Sequence, residues 1–473
     1  MLSQEIKDEL LDCLKVVQDM LKGNSALGRE QLKNIADIFQ ASANICNEAL
    51  TAQGEVIATK EMADNDEQDE PVLSVCIPTY NRVEELKRSL GTIIREFYDK
   101  DNVEILVSDN CSPDATEMLM AAVLRAYPRI RYYRHEKNMG PTRNFISCYQ
   151  RARGRYVWLF SDDDFLLEGT GDLITEMLQK EKPVFAAVNA NWSSGEDGYK
   201  VFADKNKFLN SVGIYITFIS ALIFRRDYVM EIGNFERYYD MLLPQSVIAF
   251  ETMRHAGSYV IVTQRAMGNS LNQAVSYDAY KVWIEEYGNL LLRSAVAAGF
   301  DADLVRAIFY RELKTIILNL VRSFRLNSAN EPLWDKSIPK RVLKRYPDLQ
   351  PMYDLVVNTP VQELPQVEGQ IMAIAFQRMF FYCKPYKSVY IFGRQDAGKL
   401  MADVLGSNRI NVAGQYTDWS VDSLKKFAGR ISNESKAAVL IALPQGCRVE
   451  LEDVLREYYG TNFYWQDVLE LYI

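Results

Sequence analysis

Histidine, paired cysteines and long apolar runs are scarce in this chain of 473 residues. It contains only His135 and His255, which argues against histidine-based zinc sites and against a Ser-His-Asp hydrolase. The 7 cysteines are scattered without a CxxC pair, so neither a zinc ribbon nor a disulfide framework is predicted, and a reducing compartment fits best. We therefore expect any acid–base chemistry to use carboxylates.

The chain also has no excess of positive charge. The net charge of −9 argues against a general nucleic-acid binder. The N-terminus has no basic and apolar signal region and no run of about 18 apolar residues occurs, so we expect a cytoplasmic protein. The apolar stretch of 12 residues at 213–224 predicts a buried strand or hairpin. Peripheral contact with the inner face of the membrane stays open.

The hydrophobic pattern divides the chain into five segments. Residues 1–60 have apolar positions at three- and four-residue spacing, which predicts a helical hairpin that packs on a neighbour or on a second copy of the chain. Residues 61–70 are an acidic linker. Residues 71–275 alternate strands with helices, which predicts a doubly wound, mostly parallel α/β sheet. Residues 276–385 predict a helical region, and 386–473 a small Rossmann-like α/β domain.

Three consecutive carboxylates, Asp162, Asp163 and Asp164, follow an apolar run at 156–160. Such a run predicts a strand covered on both faces, so the acids emerge at its carboxyl end, where open α/β sheets bind their ligands. Buried acids are costly without a positive partner, and oxygen-only clusters suit Mg²⁺ or Mn²⁺. The cluster therefore predicts a divalent cation site, with a solvated acidic turn as the alternative.

Three further polar loops end neighbouring strands of the same predicted sheet. Since the carboxyl ends of parallel strands share one edge, we expect four loops, 77–82, 108–114, 137–144 and 161–164, to line one crevice. Arginines in the first and third loops can hold phosphate, and the aspartate of the second can accept hydrogen bonds from a base or ribose.

These segments, IPTYNR, ILVSDNCSPDAT, HEKNMGPTRN and GRYVWLFSDDD, resemble in that order the nucleotide-sugar-binding half of family 2 glycosyltransferases. Those enzymes have the GT-A fold, and the likeness is greatest to the bacterial abequosyltransferase-like group. It covers about residues 72–265. The resemblance implies an inverting, metal-dependent enzyme that moves a sugar from a nucleotide diphospho-sugar to an acceptor hydroxyl, in O-antigen or capsule synthesis. The acceptor would be a glycan, and whether it is lipid-linked stays open.

The resemblance also implies roles for individual residues. It assigns donor binding to Pro78, Tyr80, Arg82, Asp109, Asn138, Gly140, Arg143 and Asp162. The family's Asp-x-Asp-Asp pattern places its first acid at Ser161, so the cation falls to a subset of Asp162, Asp163 and Asp164. Turn geometry alone is the alternative for the proline and the glycine, and a surface position is the alternative for the second arginine.

The general base is the main departure from the family. Many members carry a Glu-Asp pair whose acid deprotonates the acceptor, and alignment puts Gln245 and Ser246 there. Neither acts as a base near neutral pH. We predict Asp240 as the replacement, with Glu236 and Glu251 behind it and a surface acid as the alternative.

Residues 393–399 nearly spell a phosphate-binding P-loop, but Leu400 stands where Ser or Thr must hold Mg²⁺. We predict a packing or oligomerisation role for the last domain, with nucleotide or sugar-nucleotide binding as the alternative. For the whole chain, a non-catalytic nucleotide-sugar-binding or scaffolding protein and a sugar nucleotidyltransferase stay open. A sugar nucleotidyltransferase usually has a Gly-rich loop after its first strand, and the corresponding segment IPTYNR is not Gly-rich.

Overall fold

The computed structural model describes residues 70–190, 198–268, 275, 277–393, 395–418, 420–431, 437–442 and 463–465. The hairpin predicted at 1–60 and nearly all of the linker lie outside the described residues. The described residues form two compact units. The first unit contains 70–190, 219–240 and 266–268, and the second contains 198–218, 241–265 and the described residues from 275 onward.

The strands of the described residues follow one another along the chain. They are β1 Leu73–Thr79, β2 Val103–Asp109, β3 Arg131–Arg134, β4 Tyr156–Leu159, β5 Phe165–Leu166, β6 Phe185–Val188, β7 Tyr199–Phe202, β8 Leu222–Arg225, β9 Tyr259–Val262, β10 Met267–Gly268, β11 Ser388–Gly393, β12 Val412–Tyr416, β13 Ala437–Ala442 and β14 Phe463–Trp465.

The α-helices connect these strands or form the helical part of the second unit. They are α1 Val83–Phe97, α2 Thr116–Ala126, α3 Pro141–Arg151, α4 Thr170–Glu181, α5 Lys205–Val212, α6 Arg226–Ile232, α7 Pro244–Thr252, α8 Tyr287–Asn289, α9 Ala302–Lys314, α10 Ile316–Asn327, α11 Ser337–Leu343, α12 Gln350–Asn358, α13 Glu368–Cys383, α14 Gln395–Ser407 and α15 Val421–Ile431. Short 3₁₀ segments are Gly213–Thr217, Ile219–Ala221, Phe235–Tyr238, Glu331–Leu333 and Val361–Val367. Two π-helical segments, Tyr280–Glu286 and Leu290–Ala295, flank α8.

The first unit is built on a sheet in which six strands lie in the order β3-β2-β1-β4-β8-β6. The first four are parallel, and β8 is antiparallel to both of its neighbours. All seven residues of β1 are buried, as expected for a strand covered on both faces. The chain moves outward from β1 to β2 and β3 and then returns to the other side of β1 as β4. The predicted doubly wound sheet is therefore confirmed, and the β1–β4 boundary is the switch point where such sheets bind ligands.

Helix α1 shows how the sequence pattern produces the packing. Its apolar residues Leu86, Leu90, Ile93 and Phe97 are buried at four- and three-residue spacing, so they form one face of the helix. The Phe97 ring meets the Trp158 ring edge-to-face, with centroids 6.2 Å apart. This contact fixes the carboxyl end of α1 against β4.

The second unit contains the antiparallel pair β7–β9, helices α8 to α13 and a parallel sheet in the order β12-β11-β13-β14. The core of this C-terminal sheet includes Val389, Ile391, Met401, Leu405 and Leu440. The predicted helical region and the Rossmann-like α/β rhythm are confirmed among the described residues.

One local prediction was wrong. Residues 213–224 begin with the two 3₁₀ segments and become a strand only at β8. The Thr217 hydroxyl donates to Ile214 O at 2.7 Å, a local bond of the kind that competes with strand pairing. None of the described helices is long and apolar enough to cross a membrane.

Candidate functional site

The four polar connections of the first sheet meet at its carboxyl edge. We name them by the strand they follow: the β1 loop is 80–82, the β2 loop 110–115, the β3 loop 135–140 and the β4 loop 160–164. Direct hydrogen bonds link each loop to at least one other. The four loops predicted to lie together are therefore joined by hydrogen bonds.

The β2 loop holds the β1 loop and the start of α1. Asn81 N donates to Ser112 Oγ at 2.9 Å. Val83 N donates to Asp114 Oδ2, also at 2.9 Å, so a carboxylate from another loop caps the helix. A negative charge at this end is favourable because the first N–H groups of a helix are unpaired and its dipole is positive there.

The β3 loop is attached to the β2 loop through Asn110. The Asn110 Nδ2 group donates to Asn138 Oδ1 at 2.9 Å, and its Oδ1 accepts from Met139 N at 2.8 Å. Asn138 Oδ1 also accepts from Gly140 N at 2.8 Å. Gly140 precedes α3 with φ of 84°, a conformation that glycine adopts without strain. These bonds place the amino end of α3 at the edge.

Asp109 is fully buried and is occupied by protein groups. Its Oδ1 accepts from Ser112 N at 2.8 Å, and its Oδ2 accepts from the Tyr132 hydroxyl at 2.7 Å. Arg134 Nε lies 3.2 Å from the same oxygen. Burial, followed by the hydrogen bond to Asp109, raises the pKa of Tyr132, so the phenol stays protonated and donates. Asp109 thus holds the β2 loop in shape.

Arg82 supplies the positive charge that the acidic cluster requires. Its Nη1 donates to Asp162 Oδ1 at 3.1 Å and to Asp163 Oδ2 at 3.0 Å. The second oxygen of Asp162 accepts from the Thr79 hydroxyl at 2.7 Å, and that of Asp163 from the Ser161 hydroxyl at 2.6 Å. Two hydroxyls therefore orient two carboxylates so that one oxygen of each faces the same point.

Asp164 is directed elsewhere. Its Oδ2 accepts from the Ser220 hydroxyl at 2.5 Å, and Ser220 Oγ in turn accepts from Ser161 N at 2.8 Å. Both Asp162 and Asp164 are 4% exposed. Burial raises the pKa of Asp162 to about 6 and that of Asp164 to about 7.

The geometry of the cluster fits a divalent cation held by two carboxylates. Asp162 and Asp163 present hard oxygen donors to one point that a guanidinium already fills, whereas Asp164 faces Ser220. Among the described residues, no group of three or more His, Cys, Asp or Glu side chains is arranged to hold a metal ion. One or two carboxylates are nevertheless the usual protein share of an Mg²⁺ site that includes substrate phosphates.

Arg143 connects the donor loops with the predicted base. It is exposed on the first turn of α3, and its guanidinium lies 4.4 Å from the centre of the Tyr239 ring. Helix α6 packs against α3, where Arg226 Nε donates to Tyr149 O at 3.4 Å. The exposed Asp240 lies one residue beyond Tyr239.

The other predicted residues differ in burial. Pro78 is buried within β1, Tyr80 is 42% exposed and Asn138 is exposed. Gln245 and Ser246 are buried and donate to Thr217 O at 2.8 Å and Ile216 O at 3.0 Å. Their polar groups thus attach α7 to a 3₁₀ segment of the second unit.

Several residues of the edge were missed by the sequence reasoning. They are Thr79, Asn110, Asn144, Ser220 and Tyr239. Asn144, for example, is buried and bridges strands, since its Oδ1 accepts from Ser108 Oγ at 2.7 Å and its Nδ2 donates to Ser108 O at 3.0 Å. Thr79, Asn110 and Asn144 lie in the predicted loops although no role was assigned to them, whereas Ser220 and Tyr239 had no local sequence signal.

Comparison with known proteins names the class to which this edge belongs. Residues 74–233 match the family described as Glycosyl transferase family 2. The chain is 29% identical over 177 residues to abequosyltransferase RfbV of Salmonella typhimurium, which covers 33% of this chain and 53% of that protein. Residues 74–233 therefore match the family 2 glycosyltransferase model, and this part of the chain is similar to the abequosyltransferase-like group.

A second relative is the GalNAc(5)-diNAcBac-PP-undecaprenol beta-1,3-glucosyltransferase of Campylobacter jejuni. It is 31% identical over 129 residues, covering 27% of this chain and 40% of that protein. The chain thus spans about half or less of the length of these relatives. The crystal structure of S. aureus TarS 1-349 in complex with UDP-GlcNAc aligns with 60% of this chain and 90% of its own at 14% identity and a TM-score of 0.42. The fold assignment rests on the strand order of the first sheet and not on this alignment.

Proposed function

We propose that this chain is a metal-dependent, inverting glycosyltransferase that moves a sugar from a nucleotide diphospho-sugar to an acceptor hydroxyl. The observation that carries the proposal is the loop edge of the first sheet. There, Asp162 and Asp163 converge on one point. The first turn of α3 is linked to this point, because Asn144 Nδ2 donates to Thr79 O at 3.5 Å and the Thr79 hydroxyl donates to Asp162. This is the chemistry needed to hold a diphosphate.

On the donor side, α3 presents unpaired N–H groups and the positive end of its dipole, while Arg143 adds a guanidinium on the same turn. Asn138 and Gly140 set the backbone that enters this helix. When bound at Asp162 and Asp163, Mg²⁺ or Mn²⁺ would supply Lewis-acid neutralisation of the charge that develops on the departing nucleoside diphosphate. Asp109 acts indirectly, by holding the β2 loop closed.

On the acceptor side, Asp240 takes the proton from the acceptor hydroxyl. The acceptor oxygen then forms its bond to the anomeric carbon as the bond from that carbon to the diphosphate oxygen breaks, and the configuration inverts. The support for Asp240 is its place beyond Tyr239, whose ring Arg143 covers. The names of the two bacterial relatives motivate a surface glycan as the acceptor, lipid-linked in the case of the Campylobacter relative.

A donor screen tests the proposal. UDP-, GDP-, CDP- and dTDP-sugars are added to the full chain with Mn²⁺, and the melting temperature and donor hydrolysis are measured. A donor that binds raises the melting temperature by mass action, and we expect one nucleotide class to do so and to be hydrolysed slowly. No turnover together with no metal-dependent binding would contradict the proposal.

The alternative of a non-catalytic nucleotide-sugar-binding protein has one observation in its favour. Gln245 and Ser246 have their polar groups engaged with the backbone at the positions where the family carries its acids. Asp240→Asn separates the two functions, with Glu231→Gln, an exposed acid on α6, as the matched control. An enzyme should lose turnover by about 100-fold in the first variant and keep donor binding, since general bases contribute about 10² to 10⁴. Donor binding without turnover in the wild type would favour the alternative.

A further inference from the structure

Arg82 occupies the position that a divalent cation would need. Its Nη1 lies 3.1 Å from Asp162 Oδ1 and 3.0 Å from Asp163 Oδ2, while hydroxyls of Thr79 and Ser161 hold the other two oxygens. A guanidinium and a divalent cation repel each other and cannot both contact these two oxygens. Cation binding therefore requires that Arg82 leave.

We propose that Arg82 is a built-in counter-ion that couples the binding of the divalent cation to the binding of the donor diphosphate. The inference rests on the proposed function. Without a diphosphate, Arg82 neutralises Asp162 and Asp163 and competes with the cation. With a diphosphate, the guanidinium gains a second anion that it can contact with two N–H groups, so leaving the carboxylates costs less.

The surroundings of Arg82 allow its side chain to move while its backbone stays fixed. Asn81 N and Val83 N on either side are held by the β2 loop, and Arg82 O accepts from Leu86 N at 2.9 Å. The side chain is 49% exposed, whereas that of Asp162 is only 6% exposed. An ion pair with one partner in water is weak, so its guanidinium can exchange partners at modest cost.

The coupling has a definite sign. If the diphosphate draws Arg82 away, it tightens cation binding, and by linkage the cation tightens diphosphate binding by the same factor. Removing the guanidinium should therefore tighten binding of the cation alone and reduce the factor by which a diphosphate improves it. Coupling of this kind is typically about 5- to 150-fold.

Mn²⁺ titration of the full chain, followed by the electron paramagnetic resonance of unbound Mn²⁺, tests this without any activity assay. The probe is inorganic pyrophosphate, with the Mn²⁺ that it binds in solution measured separately and subtracted. We compare the wild type with Arg82→Gln, with Arg82→Lys, which keeps the charge, and with Arg88→Gln, which removes the same charge from an exposed position on α1.

We expect Arg82→Gln to bind Mn²⁺ at least about 5-fold more tightly than the wild type without pyrophosphate and to show little further gain with it. The wild type and Arg88→Gln should gain at least about 5-fold, with Arg82→Lys in between. Equal or weaker Mn²⁺ binding by Arg82→Gln overturns the coupling but leaves the proposed function standing. Absence of Mn²⁺ binding in all four proteins, with pyrophosphate present, overturns the coupling together with the metal dependence of the proposed function.

Discussion

The first sheet and the C-terminal sheet each have a switch point beside a central parallel strand, but they present different chemistry there. In each, a central strand lies between parallel neighbours, β1 between β2 and β4, and β11 between β12 and β13. At the first switch point lie an arginine and buried carboxylates. At the second, β11 ends at Gly393, where an added Cβ would lie 2.1 Å from Ala442 O.

This difference shows why the fold alone does not assign a function. The first sheet keeps charged groups at its edge although burial raises the pKa of Asp162 and Asp164 and so opposes their ionisation. In the second sheet, Gly393 pairs with Ala442 of the neighbouring strand, and the described residues place no cluster of charged side chains at that point.

The largest expected effect comes from Asp162→Asn. This change removes one proposed cation ligand and the partner of Arg82 and Thr79, so we expect kcat/KM to fall by about 10³-fold, in line with the several kcal/mol that a bound metal contributes. Lys399→Ala, at an exposed position of helix α14 beside the C-terminal sheet, should change kcat/KM less than about 2-fold. Steady-state kinetics on the identified donor provide the comparison, and equal losses in the two variants would refute the contrast between the sheets.

Next in size is Gly393→Ala, which acts on the C-terminal sheet. Gly393 has φ of 146°, and the new Cβ would meet a backbone oxygen that cannot rotate away. Overpacking and backbone strain together should lower the free energy of unfolding by about 2–4 kcal/mol. Urea unfolding measures the loss, and Gly406→Ala, where nothing lies within 4 Å of an added Cβ, is the control. Donor affinity of the folded variant should stay unchanged.

A smaller effect of opposite sign is expected for Asp164→Asn. Because its native pKa is raised from 3.8 to about 7, Asp164 binds its proton more tightly in the folded state, and stability falls as pH rises through this window. The amide mimics the protonated acid, so in EDTA at pH 8 the variant should be more stable by about 2 kcal/mol. Urea unfolding at pH 8 and pH 4 tests this, since the gain should vanish at pH 4. A variant less stable than the wild type at pH 8 would show that burial does not raise the pKa of Asp164.

The smallest predicted effect concerns Tyr239. Tyr239→Ala removes the ring under Arg143, so we expect donor KM to rise about 3- to 5-fold, because an exposed cation–π contact is worth about 0.5–1 kcal/mol. Tyr239→Phe keeps the ring and should restore the wild-type KM. If phenylalanine fails to rescue, the hydroxyl rather than the ring is the important group.

The parts of the fold that the sequence predicted are those with an unbroken local pattern. Buried strands such as β1 appear in the sequence as mostly apolar runs. The spacing of Leu86, Leu90 and Ile93 indicates one face of a helix. The pair β5–β10 has two residues in each strand and leaves no period to detect. Neither did the sequence show that 213–221 prefers 3₁₀ turns.

The contacts of the site depend on register, which a single sequence does not reveal. Arg82 reaches Asp162 because β1 and β4 pair with Cys76 opposite Leu159, and a shift by one residue would turn the side chains to the other face. Ser220 and Tyr239 reach the edge only through the antiparallel β8 and the return of α6. The loops were predictable as a set, whereas their partners required the three-dimensional structure.

The most direct test of the central claim locates the cation. Crystals of the full chain are soaked with MnCl₂ and inorganic pyrophosphate, and the anomalous scattering of Mn²⁺ is mapped. We predict a peak about 2.1 Å from one oxygen each of Asp162 and Asp163, with the Arg82 guanidinium moved to the pyrophosphate. A peak at the amino end of α14, or no peak between Asp162 and Asp163 when Mn²⁺ is bound, would contradict the assignment of the loop edge as the donor site.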